Sequence, residues 1–184
     1  MSNLTVGSIS GMPLNGNVIS VPSGHTIKQS GGILQVLSVT KTDTWTAATS
    51  VPINIPGLSV SITPKFIDSK IFLIAHVPAT TNTSTSAVFR FSRNSLPVGV
   101  GDIAGNRQRV TSKISSGNTA WMNTASLTYL DSPNSIEEQV YTIQAMSHNS
   151  GYTIYVNRNL ADGDSANGDE SRSASTLTVM EIAS

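Results

Sequence analysis

The chain has 184 residues, eleven basic and eleven acidic side chains that cancel to a formal charge of zero, and no cysteine. That length suits one domain with a sizeable core, alone or with a short arm; the charge balance excludes the basic stripe of a nucleic-acid binder, and the missing thiols exclude disulfides and thiolate chemistry. Only 12 % of the residues are charged, while Ser and Thr supply about a quarter, a composition typical of β-sandwiches and of extracellular or virion β-proteins whose outer sheet faces carry short hydroxyl side chains.

Residues 1–32 differ from the rest. Short apolar pieces (Leu4 to Ile9, Val18 to Val21) are cut by Gly7, Gly11, Pro13, Gly16, Pro22, Gly24 and the pair Gly31-Gly32. Pieces this short cannot bury a core alone, yet they are too apolar for a solvated tail, which predicts an arm that completes itself against other chains. The opening Met-Ser-Asn-Leu-Thr has neither the basic region nor the apolar stretch of a signal peptide, and no apolar run reaches membrane-spanning length. The expectation is no membrane insertion and, for a protein that works outside a cell, exit by a route such as lysis.

The body begins at Ile33. Ile33 to Thr40 reads as a strand, followed by a Thr-rich link containing Trp45. Ser50 to Ile55 and Leu58 to Thr63 read as two short strands joined by a turn at Pro56-Gly57. In the second, Leu58, Val60 and Ile62 alternate with Ser59, Ser61 and Thr63, the signature of a half-buried strand. Lys70 to Pro78 is the most apolar strand and belongs in the middle of a sheet; residues 80–86 read as a loop. Ala87 to Ser92, Leu96 to Gly101, Arg107 to Ile114, Trp121 to Tyr129, Gln139 to Met146 and Tyr152 to Val156 follow as strands, with turns at 93–95, 102–106 and 149–151. Ser135 to Gln139 is the one candidate helical turn, and a polar loop from Asn157 to Arg172 precedes the last strand.

That last strand, Ser175-Thr-Leu-Thr-Val-Met-Glu-Ile182, organises the reading. Leu177 and Val179 point to one face, Met180 and Ile182 to the other. Apolar residues on both faces predict an inner strand whose second face is covered by another sheet layer or a neighbouring subunit, and a sheet that closes only when these residues are placed. About ten short strands with turn signals between them predict an all-β fold: an antiparallel β-sandwich, jelly-roll-like, with an extended N-terminal β arm (1–32), a head (33–184) and no significant helix.

No catalytic constellation emerges. His25, His76 and His148 lie far apart without metal-ligand spacing. The acidic loop Asp162 to Glu170 has Ala166 at a ligand position and Asn167 where the calcium-loop pattern needs Gly, so a solvated loop tip fits better. Gly99-Val-Gly101-Asp-Ile-Ala-Gly105 has one residue too many for a dinucleotide fingerprint and opens no helix. No nucleophile elbow and no paired carboxylates outside loops can be named. The residues therefore predict no enzyme, no metal and no cofactor. Arg90, Arg93, Arg107 and Arg109 form the densest basic group, either an anionic-ligand patch or, on the balanced charge, partners of Asp102, Asp131 or a neighbouring subunit. Trp121 and the tyrosines offer faces for stacking on sugars or for packing.

Several stretches are jointly more specific than any one of them. They are Ser2-Asn-Leu-Thr-Val6 with Val18-Ile-Ser-Val-Pro-Ser-Gly-His25; Leu34-Gln-Val-Leu37 with Thr42-Asp-Thr44; and Ile55-Pro-Gly-Leu-Ser-Val-Ser-Ile-Thr-Pro64 with Ser69-Lys-Ile71. Gly101-Asp-Ile-Ala-Gly-Asn-Arg107, Tyr155-Val-Asn-Arg158 and the ending Ser175 to Ala183 complete the set. Their order and spacing resemble a family of small fibre-like or decoration virion structural proteins of tailed bacteriophages. The resemblance implies a non-enzymatic homotrimer, with a β-sandwich head displayed outward and residues 1–32 attaching to other virion proteins. It implies a place on the outer surface of the virion, on tail or capsid, and contact with a host surface glycan. It supplies no catalytic residues, and the chain departs from longer fibres in lacking a repeat-built shaft. A sugar-binding or sugar-processing β-sandwich is the rival from another class.

Overall fold

The computed structural model describes Ser23 and residues 27–115, 121–166, 168 and 170–184. The N-terminal arm expected over 1–32 lies outside the described residues except for Ser23 and 27–32. Among the described residues there are eleven strands and no helix. They are β1 (Ile33–Lys41), β2 (Trp45–Ala47), β3 (Ile53–Ile62), β4 (Lys70–Thr81), β5 (Ser86–Arg93), β6 (Leu96–Val98), β7 (Ser112–Ser115), β8 (Asn123–Asp131), β9 (Gln139–Ser147), β10 (Ile154–Val156) and β11 (Ser175–Ile182).

All pairings are antiparallel and form two sheets. The first has β11 between β1 and β4, with β8 on the other side of β4 and β10 and β2 continuing along the far end of β4. The second runs β3-β9-β5, with β6 and β7 sharing the outer edge of β5. The two sheets pack face to face, so the chain is a jelly-roll-like β-sandwich.

The core lies between the sheets and follows the period of two along each strand. Ile71, Leu73, Ala75 and Val77 of β4, Leu177 and Val179 of β11 and Ala125 and Leu127 of β8 face Phe89 and Phe91 of β5, Tyr141 and Ile143 of β9 and Leu58, Val60 and Ile62 of β3. β4 is paired on both sides, as its apolar run predicts. β11 occupies its expected bounds and its inner position. Its Glu181 also points inward and is fully buried; Oε1 accepts from the Lys65 amide at 2.7 Å and Oε2 from Gln35 Nε2 at 2.7 Å, which satisfies the carboxylate without a cation.

Four local readings change. Pro56-Gly57 does not turn the chain back: β3 runs through it, with a register shift between Asn54 and Ser59 against β9. Gly57 takes φ +82, which only glycine adopts at little cost, and the resulting bulge lets both Ile55 and Leu58 reach the core. The strand expected over Arg107 to Ile114 shrinks to β7, because Arg107 and Arg109 turn back onto Ala104 and Gly101 carbonyls of their own loop. The expected helical turn at Ser135 is instead a bend leading into β9, closed by the Ser135 hydroxyl accepting the Glu137 amide. Strand β4 also outruns expectation, since Thr80 and Thr81 are buried and pair with Tyr155 and Ile154.

A buried asparagine joins the two ends of the long polar loop. Asn157, at φ 63, donates through Nδ2 to the carbonyls of Lys41 (2.8 Å) and Asp43 (2.9 Å), while its Oδ1 accepts from Ser175 Oγ at 2.6 Å. The start of β11 is thereby fixed to the end of β1. At the other end, Gly31 and Gly32 exchange backbone hydrogen bonds with Ala183, and Lys28 pairs with Asp68 at 2.8 Å.

Candidate functional site

The arginines do not converge. Arg90 and Arg93 are three apart on β5, so their side chains leave opposite faces of the strand. Arg90 points outward, where its Nε donates to Gln144 Oε1 at 2.8 Å, and burial pulls its pKa below the ordinary value. Arg93 points inward and its Nη1 donates to Asp131 Oδ2 at 2.7 Å. Tyr141 donates its hydroxyl to the same oxygen at 2.7 Å, so β5 and β9 of one sheet are bolted to β8 of the other through one carboxylate. Burial, followed by the hydrogen bond and charge of Asp131, holds the Tyr141 phenol protonated far above its usual range. Burial alone would lower the Arg93 pKa, but the charge and hydrogen bond of Asp131 outweigh it and raise it.

Arg93 and Arg109 do line one open cleft, of about 560 Å³, together with Pro97, Val98, Gly99, Val100, Tyr129 and Asp131. Its cations are engaged: Arg93 by Asp131, and Arg109 by the Gly101 carbonyl, to which Nε donates at 2.6 Å. Gly99 (φ +61) covers the Tyr129 ring so closely that an added Cβ would meet it at 2.6 Å. Arg107 sits on the neighbouring loop, bonded to the Ala104 carbonyl. A second groove, about 230 Å³, lies on the outer face of the other sheet among Val88, Gln108, Val110, Lys113, Met146 and His148. Of the two readings of these arginines, the single anionic-ligand patch is divided between separate surfaces, while Arg93 makes the expected pairing with Asp131.

Trp121 stands exposed just before β8, whereas Trp45 packs partly against the core. His76 is exposed on the outer face of β4, with Nδ1 3.3 Å from Ser126 Oγ, and His148 stacks obliquely on Tyr152. Asp162 spends both carboxylate oxygens on arginines, Oδ2 on Arg158 at 2.9 Å and Oδ1 on Arg172 at 2.7 Å. Among the described residues no group of His, Asp or Glu is arranged to hold a metal ion.

The feature that the sequence only half reveals is the outer face of the first sheet. Cross-strand register aligns Val36, Met180, Phe72 and Leu130 in one row across β1, β11, β4 and β8. Ile33 and Ile182 extend it at one end and Ile74 on the other side. Val36 is 52 % and Leu130 50 % exposed, and Met180, Ile182 and Phe72 are half-buried. The cover expected over Met180 and Ile182 is therefore not supplied by the described residues of the chain. Beyond this row the face turns to hydroxyls, with Ser38, Thr178 and Thr128 in register with Ile74, and Thr40, Thr176, His76 and Ser126 after them.

No family model matches the sequence, and no curated protein matches it. Among solved structures, a chain in the structure of infectious bursal disease virus, Gx strain, aligns at 13 % identity over 91 % of this chain and 42 % of that one, with a TM-score of 0.39. This chain thus spans less than half the length of that neighbour, and a likeness so distant carries no argument about function.

Proposed function

We propose that the chain is a non-enzymatic structural protein of a tailed-phage virion, a short trimeric surface appendage that contributes to attachment at the host surface. The sequence resemblance, from the Ser-Asn-Leu-Thr-Val opening to the closing strand, supplies the phage and the number three. The observation that carries a structural role is the outer face of the first sheet, where an apolar row stands uncovered by the described residues. Soluble monomers rarely leave such a face to water, whereas subunits of an assembly need one. Residues 1–32 would mount the head on other virion proteins. Exposed Trp121 is the side chain best placed for contact with a host glycan. The alternative mounting that the resemblance leaves open is as a decoration protein on the capsid shell.

Purified particles decide the matter. Mass spectrometry of the virion is expected to detect this chain, and antibody labelling to place it on tail or capsid. Its absence from particles overturns the reading, and turnover of a bacterial polysaccharide by the purified protein overturns the non-enzymatic part.

A further inference from the structure

We infer that other copies of this chain cover the outer face of the first sheet, packing three such faces around a common axis with Phe72 and Met180 at the centre. The inference rests on the assembly reading above and names the surface that performs it. Four observations support it.

The first is size. Four strands about 4.8 Å apart, with outward residues in four rows about 6.6 Å apart, make a flat area of roughly 500 Å², before side-chain relief is counted. The two rows at the apolar end are about half of it, and with its polar rim the whole face approaches the order of one partner's share of a stable interface, about 800 Å². A single extended peptide covers one strand's width and would leave most of the row wet; a second sheet covers it all. The second is charge. Across β1, β11, β4 and β8, the titratable side chains on this face among the described residues are Lys70 and His76, so this part of it offers little to a polyanion or polycation. Neutral, like surfaces can approach one another without repulsion.

The third is the edge. β1 closes its side of the sheet, and among the described residues no strand pairs with its free edge. Its run from Ile33 to Thr40 contains no charge and no proline, and Ile33 and Val36 are more than half exposed. Edges that face water are usually guarded by such residues. This one is unguarded where it adjoins the apolar row. The fourth is pattern: the apolar residues occupy one end of the face and a hydroxyl ladder, including Ser38 Oγ and Thr178 Oγ1 at 2.9 Å, the other. Stacked faces would bury the first and leave the second as a polar rim.

Light scattering of the full-length chain tests this, with Val36→Lys and Leu130→Lys on the face and Ser61→Lys on the outer face of the other sheet as control. The wild type and Ser61→Lys are expected to run as trimers, and each face variant to fall to monomer mass with an unchanged near-ultraviolet dichroism spectrum. A face variant that keeps trimer mass overturns the assignment of the face and leaves the trimer standing; a monomeric wild type overturns both. Neither result bears on whether the chain is found in particles.

A measurement without substitution guards against unfolded variants. Peroxide oxidation of Met180 is expected to accelerate at least several-fold when the wild type is diluted until it dissociates, while buried Met146 stays protected throughout. A Met180 rate independent of concentration overturns the inference. So does a monomer in which Met180 is protected until residues 1–26 are removed, since the covering partner would then be the chain's own arm.

Discussion

The outer faces of the two sheets solve the same problem differently. On the second sheet, polar side chains answer one another. Ser59 Oγ lies 3.1 Å from Thr142 Oγ1, Gln144 Nε2 donates to Asn54 Oδ1 at 3.0 Å, and Gln144 Oε1 accepts from Arg90. Thr142, Gln144 and Met146 are buried there, so β9 is covered on both faces by its own chain. On the first sheet the corresponding positions are Val36, Met180, Phe72 and Leu130, which have nothing above them among the described residues. One face is finished within the chain, and the other is not finished by the described residues. An apolar outer residue is therefore not a lapse in the pattern of a sandwich; its meaning depends on whether its cross-strand neighbours are apolar too.

Gln144→Ala should give the largest effect, because it removes a buried side chain together with its hydrogen bonds to the half-buried Arg90 guanidinium and to exposed Asn54. A loss of about 1–3 kcal/mol is expected from denaturant unfolding. A loss near zero would mean that the polar face is no more finished than the apolar one.

Tyr141→Phe isolates the interior that the two faces share. It should cost about 1 kcal/mol at neutral pH, the net worth of one hydrogen bond. The native phenol holds its proton above the ordinary value of 10.0, while the unfolded chain ionises there, so the wild type should lose stability as pH rises past that point. The phenylalanine variant lacks this decline, and the difference between the two should shrink above pH 10. A constant difference in pH-dependent melts would show that Tyr141 is not held protonated.

The smallest effect belongs to the apolar face. Val36→Thr, measured in the dissociated chain, should change stability by no more than about 0.5 kcal/mol, since this side chain already meets water. The same substitution should weaken assembly in sedimentation at matched concentrations. A larger loss in the isolated monomer would place the covering layer within the chain.

Class and closing strand were legible because alternation and β-branched content survive in a single sequence. Leu177 and Val179 sit where the period of two puts them. What sequence does not carry is register. Met180 and Ile182 could be read as apolar on a second face, but that Val36 and Leu130 stand in the same row depends on pairings 58 and 144 residues along the chain, which no local pattern encodes. The bulge at Gly57 was hidden for a related reason. Pro-Gly satisfies a turn and a kink equally, and the choice is made by β9, which pairs with both halves of β3. The arginines were the opposite case. Their closeness in sequence suggested a patch, yet the odd spacing of Arg90 and Arg93 already sends them to opposite faces of a strand.

The close approach of Gly99 to Tyr129 has a bearing on how such a protein can diversify. The segment between Gly99 and Thr111 is held at its first end by that contact, which admits no side chain, and at its last by the Thr111 amide on the Phe89 carbonyl at 3.0 Å. Between them, Gly101 has open space around it, and so does Gly105, although its φ of +60 still favours glycine. With both ends pinned, doubling the length of the intervening loop costs only about 0.6 kcal/mol in closure entropy. Mutation can therefore rewrite the loop beside the cleft, in sequence and in length, while the sandwich beneath it inherits none of the change.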